Sequence, residues 1–71
     1  MADTNQRLAT WRAEIVSARI ALASEHLPYA KRLELWLIVD GREACIKLSG
    51  SSFSSEMEQV DRELEAAFRR S

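Results

Sequence analysis

Few side chains in this sequence could carry covalent or acid–base chemistry, and they are scattered. His26 is the one imidazole and Cys45 the one thiol. A serine or cysteine nucleophile needs a base within hydrogen-bonding reach, and His26 is the only imidazole that could serve. Its expected place, near the C-terminal end of a helix, favours a protonated ring through the helix dipole, so a structural or surface role accounts for it. Cys45 reads as a small, half-buried hydrophobe with Lys47 as its nearby cation, which does not describe an activated thiolate. One Cys and one His cannot make a Cys/His zinc cluster or an intramolecular disulfide. Ser49-Gly50-Ser51-Ser52 precedes a helix N-terminus, where backbone amides attract anions, but it lacks the glycine pattern and lysine of a P-loop. Turn and cap chemistry explains it. The sequence is therefore expected to encode neither an enzyme nor a cofactor site.

Carboxylates are plentiful near the end of the chain. Glu56, Glu58, Asp61, Glu63 and Glu65 face only Arg62 among them. Either they form a solvated helix face, or they offer an acidic docking surface that steers a basic partner.

These residues need elements to position them, and the patterning supplies candidates. Asp3 or Thr4 is a plausible N-cap, with Asp3 and Gln6 at capping-box spacing. Leu8, Trp11, Ile15, Ala18 and Leu22 then follow at helical steps, and Pro28 closes the element. A first helix is expected from about Asn5 to about His26. It bears a second apolar stripe, Ala9, Val16, Ile20, Ala23 and Leu27, roughly 140° from the first. Arg12 and Arg19 fall between the two stripes. A second helix could cover the extra stripe, or it could face another subunit.

The middle of the chain reads as a β-hairpin. Leu33, Leu35, Leu37 and Val39 alternate, Asp40-Gly41 is a strong two-residue turn signal, and Arg42–Leu48 would return. That turn would pair Glu34 with Lys47, Trp36 with Cys45 and Ile38 with Glu43 on the outer face. Trp36 and Ile38 would then stand together, exposed on a hairpin with unpaired edges. A last helix is expected from about Ser55 to about Arg69, with Ser55 and Glu58 as a capping box. Met57, Val60, Leu64, Ala67 and Phe68 form its buried stripe. The expected fold class is thus α+β: one αββα domain over residues 1–71, with two helices on one antiparallel hairpin.

Composition narrows the function classes. Hydrophobic residues make up 46% of the chain against 30% charged, which describes a folding sequence. Net charge is −1: residues 1–32 carry five basic and three acidic side chains, residues 33–71 five and eight. That balance does not suit a general nucleic-acid binder, although a local basic patch on the first helix is open. The longest apolar run, Leu35–Val39, falls far short of the roughly 20 residues a membrane span takes. With no basic-then-apolar leader pattern at Met1–Gln6 and a lone Cys, a cytoplasmic location is expected.

Helix, Asp-Gly hairpin, serine-rich cap and second helix resemble the phage head–tail joining protein W (gpW-like) family. The likeness lies in Asp40-Gly41-Arg42-Glu43, in Ser52-Phe53-Ser54-Ser55-Glu56-Met57 followed by Val60 and Leu64, and in Ala18-Arg19-Ile20-Ala21-Leu22. It spans roughly residues 8–68. The resemblance implies a non-enzymatic, oligomeric assembly protein of the phage particle. The alternative is a small inhibitor that binds a host protein, of the anti-CRISPR kind. Either way the expected partner is a protein or a second copy of the chain, and the expected contact residues are Trp36, Ile38, Val16, Ile20, Arg12 and Arg19.

Overall fold

The computed structural model describes residues 3–70 and consists of three α-helices: α1 (Thr4–Leu22), α2 (Tyr29–Leu48) and α3 (Phe53–Arg69). There is no strand among the described residues. The expected αββα architecture is therefore wrong, and the β-hairpin with it. Asp40-Gly41 lies inside α2, and the fold is all-α.

The local causes are legible residue by residue. Helix α1 opens on Asp3, whose carboxylate accepts a hydrogen bond from the Gln6 amide at 2.8 Å, the expected cap. It ends at Leu22, a turn earlier than expected, and His26 sits exposed in the link to α2. Pro28 is the N-cap of α2, where its missing N–H costs nothing and its fixed φ suits helix entry. The segment that follows is rich in Ala, Lys, Arg, Leu and Glu, all strong helix formers. One glycine inside such a run costs only about 1 kcal/mol relative to alanine. The alternating leucines hid a second period: Leu35, Val39 and Ile46 recur at helical spacing, and these three are the buried residues of α2. An isolated two-stranded hairpin is at best marginal in water, whereas α2 buries a full stripe.

Helix α2 stops where Gly50 takes φ +86°, the left-handed conformation that commonly follows a helix C-cap. Helix α3 starts three residues later, at Phe53. Its N-cap is Ser52, which accepts from the Ser55 amide, rather than the expected Ser55.

Helix α1 is the centre of the molecule. Both α2 and α3 pack on it and scarcely touch each other. The core is Leu8, Ile15 and Ala18 of α1, Leu35, Val39 and Ile46 of α2, and Val60 and Leu64 of α3. The chain runs up, down and up, so α1 and α3 are roughly parallel: Arg12 meets Glu56 and, further along, Arg19 meets Asp61. The first apolar stripe of α1 is thus the buried one. Of the second, Val16 and Leu27 are partly covered while Ala9, Ile20 and Ala23 are exposed. The last helix thus covers that stripe only in part, because α3 docks along the line of Arg12 and Arg19 between the two.

Candidate interaction surface

Replacing a hairpin by a helix redistributes every side chain between residues 33 and 48. On a strand, Trp36 and Ile38 share a face; on a helix, two residues are about 200° apart. Trp36 lines a cleft with Arg19, Leu22 and Ala23 of α1 and Leu64 and Phe68 of α3. Ile38 lies on the other side of α2, in a separate groove with Ser17, Ala18 and Ala21 of α1. Val16 and Ile20 border a third depression, with Ala67 and Arg70 of α3. The six expected contact residues therefore do not form one surface.

Two of the six are engaged within the chain. Arg12 Nη1 donates to Glu56 Oε2 at 2.6 Å, and Arg19 reaches Asp61 at 3.8 Å. Both clamp α1 to α3. Arg42 does the same for α1 and α2 by donating to Glu14. That hydrogen bond, and then the Glu14 charge, raise the Arg42 pKa above its ordinary value, so this guanidinium stays charged at any working pH. Arg69 pairs with Glu65 on α3. Four of the eight arginines that could have made a basic patch are thus matched to carboxylates.

What the structure exposes is an apolar face on α2. Leu33, Trp36, Leu37, Ala44 and Leu48 fall, with Tyr29, within an arc of about 120° at 100° per residue. Leu37 is 71% exposed, Leu48 88% and Trp36 49%. The buried stripe of Leu35, Val39 and Ile46 lies on the far side of the helix, centred about 140° from the middle of this arc. Two charged residues stand on the arc itself, Asp40 and Lys47. Lys47 Nζ sits 4.7 Å from the centre of the Phe53 ring, which places the start of α3 at the edge of the same face. A hairpin would turn Leu33 and Leu37 to its inner face with Leu35 and Val39, whereas the helix turns them out to solvent. Their helical spacing with Trp36, Ala44 and Leu48 is the signal that could have found this face.

Cys45 is half-buried on α2 and carries a free thiol, as read from the sequence. Among the described residues no three His, Cys, Asp or Glu side chains are grouped as metal ligands would be, and no helix is long and apolar enough to cross a membrane.

Comparison with protein-family models, with curated proteins and with solved structures finds no match to this chain.

Proposed function

We propose that this chain is a non-enzymatic binding protein that works through protein–protein contact, with the outer face of α2 as its contact surface. The carrying observation is the exposure of Leu33, Trp36, Leu37 and Leu48 on one arc of one helix. Soluble monomers rarely leave contiguous apolar patches beyond a few hundred Å², and larger ones mark interaction sites. Among the described residues the core holds eight hydrophobic residues, and eight large hydrophobics stand exposed. A domain this small gains little stability from its core alone, so covering that face is worth a large fraction of the total.

One further observation supports a protein partner over nucleic acid. Arg12, Arg19, Arg42 and Arg69 each face a carboxylate. A phosphate backbone would have to compete with those pairs. Within this class, a role as an assembly subunit also agrees with what the gpW-like resemblance implies. The hairpin part of that resemblance does not carry over, because Asp40-Gly41-Arg42-Glu43 is helical. The inhibitor alternative draws on α3, where Glu58 and Asp61 are exposed and Glu65 beside them is paired with Arg69.

The test is site-specific photocrosslinking in the cells that make the protein. A photoreactive residue in place of Leu37 should give one adduct of defined mass, and the same residue in place of the exposed Arg62 on α3 should give none. No adduct at position 37, or the same mixture at both positions, would overturn the proposal.

A further inference from the structure

The outer face of α2 has a property that bears on what covers it. Its two charges are of opposite sign and stand seven residues apart, two helical turns or about 10 Å along the axis. Asp40 and Lys47 are both exposed, and neither takes part in the chain's ion pairs among the described residues. Between them lies Ala44, the smallest side chain on the arc, with Leu37 and Leu48 beyond each end.

Such a face is complementary to itself under a twofold rotation. When two copies of α2 pack antiparallel with the axis beside Ala44, Asp40 of each comes opposite Lys47 of the other. A parallel pairing in register would set Asp40 against Asp40 and Lys47 against Lys47. Ala44 at the crossing lets the two backbones approach closely. Leu37 of one copy then lies near Leu48 of the other, and Leu33 and Trp36 reach the partner's α2–α3 turn and Phe53. This last contact is available because the Phe53 ring already lies under Lys47, at the edge of the face.

Area agrees with charge. A standard interface takes about 800 Å² from each partner, a little over half of it apolar. Leu33, Trp36, Leu37 and Leu48, at roughly 100 Å² each, supply on the order of 400 Å² of apolar surface, with a smaller share from the partly exposed Phe53. That is what a stable symmetric dimer requires.

We propose that the outer face of α2 is the seat of a twofold-symmetric dimer of this chain, with antiparallel α2 helices and reciprocal Asp40–Lys47 pairs. The proposal rests on the reading of α2 as a contact surface and names the partner as a second copy. An isologous interface of this kind is the commonest arrangement for small soluble oligomers. The apolar side chains supply the affinity, and the charge pairs set direction and register.

Charge exchange tests it, using the full chain in sedimentation equilibrium across a dilution series. Asp40→Lys alone and Lys47→Asp alone each place like charges opposite one another at two symmetric positions. Each should weaken the dimer on the order of tenfold or more. Their equimolar mixture restores both pairs in a heterodimer and should bring association back. Both positions are exposed, so circular dichroism should find each variant folded as wild type is. A wild type that stays monomeric at millimolar concentration overturns the dimer. A wild-type dimer whose association the exchanged charges do not alter, or whose single variants the mixture does not rescue, overturns the proposed pairing. Photocrosslinking at position 37 separates this failure from failure of the binding reading. An adduct of twice the chain mass agrees with the dimer; an adduct of any other mass overturns it and leaves α2 as a surface for a foreign protein; the absence of any adduct overturns both.

Discussion

Arg12 and Glu56, 44 positions apart in the chain, meet at 2.6 Å with each side chain 15% exposed, and their pair joins the middle of α1 to the first turn of α3. The guanidinium is not fully satisfied, since Arg12 Nε is buried without a partner. Coulomb attraction is strengthened by partial burial, but so is the penalty for stranding either charge. Glu56 also lies in the first turn of α3.

Removing one member of this pair should therefore cost more than a surface ion pair would. Glu56→Ala is expected to lower stability by about 1–3 kcal/mol in urea denaturation, because Arg12 is left part-buried and unpaired. The double variant Arg12→Met with Glu56→Leu should recover most of that loss. A double variant no better than Glu56→Ala would mean that the pair itself, not the stranded charge, supplies the stability.

The two glycines should respond in opposite directions to alanine. A methyl group at Gly41 meets nothing within 4 Å, and the residue sits in the interior of α2 without a positive φ. Gly41→Ala is expected to stabilise the protein by roughly 0.5–1 kcal/mol, by removing backbone freedom from the unfolded chain. At Gly50 the space is equally open, but φ is +86°, so Gly50→Ala should destabilise by about 1 kcal/mol. The first substitution also decides between architectures, because an Asp-Gly hairpin turn would be damaged by it. Thermal unfolding of both variants reads the signs.

Isoleucines at different depths should separate cleanly. Ile15 is wholly buried where the three helices meet, and Ile15→Ala should cost about 2–5 kcal/mol, enough to threaten folding in a domain of this size. Ile38 is 40% exposed, and Ile38→Ala should cost under about 1 kcal/mol. Chemical denaturation of the two variants checks the contrast.

Trp36 and Ile38 should behave as unrelated residues in association. Trp36→Ser removes part of the outer arc of α2 and should shift light-scattering mass toward monomer. Ile38→Lys lies on the other side of the helix and should leave that mass unchanged. With Trp11→Phe in the background, Trp36 is the only indole, and its emission should move to longer wavelength on dilution as the face becomes wet. Equal effects of the two substitutions would place both residues on one surface again.

The sequence by itself determined the first and last helices, because their signals are local. Asp3 with Gln6, the stripe from Leu8 to Leu22 and the stripe of Val60 and Leu64 are all near-neighbour patterns, whereas Pro28, expected to close the first helix, instead opens the second. It also determined that Arg12 and Arg19 flank the first stripe, though not that Glu56 and Asp61 would meet them across 44 and 42 positions. The segment from Leu33 to Leu48 was ambiguous on its own, since its apolar residues satisfy a period of 2 and a period near 3.6 alike. Asp40-Gly41 within it is by itself a turn signal. Tertiary packing decided otherwise: as a helix the segment lays Leu35, Val39 and Ile46 on α1 in one continuous stripe. The same choice dispersed the expected patch and turned Leu33, Leu37 and Leu48 outward beside Trp36. Which apolar residues face solvent depends on which neighbour covers the rest, and that is a property of three helices together rather than of any one.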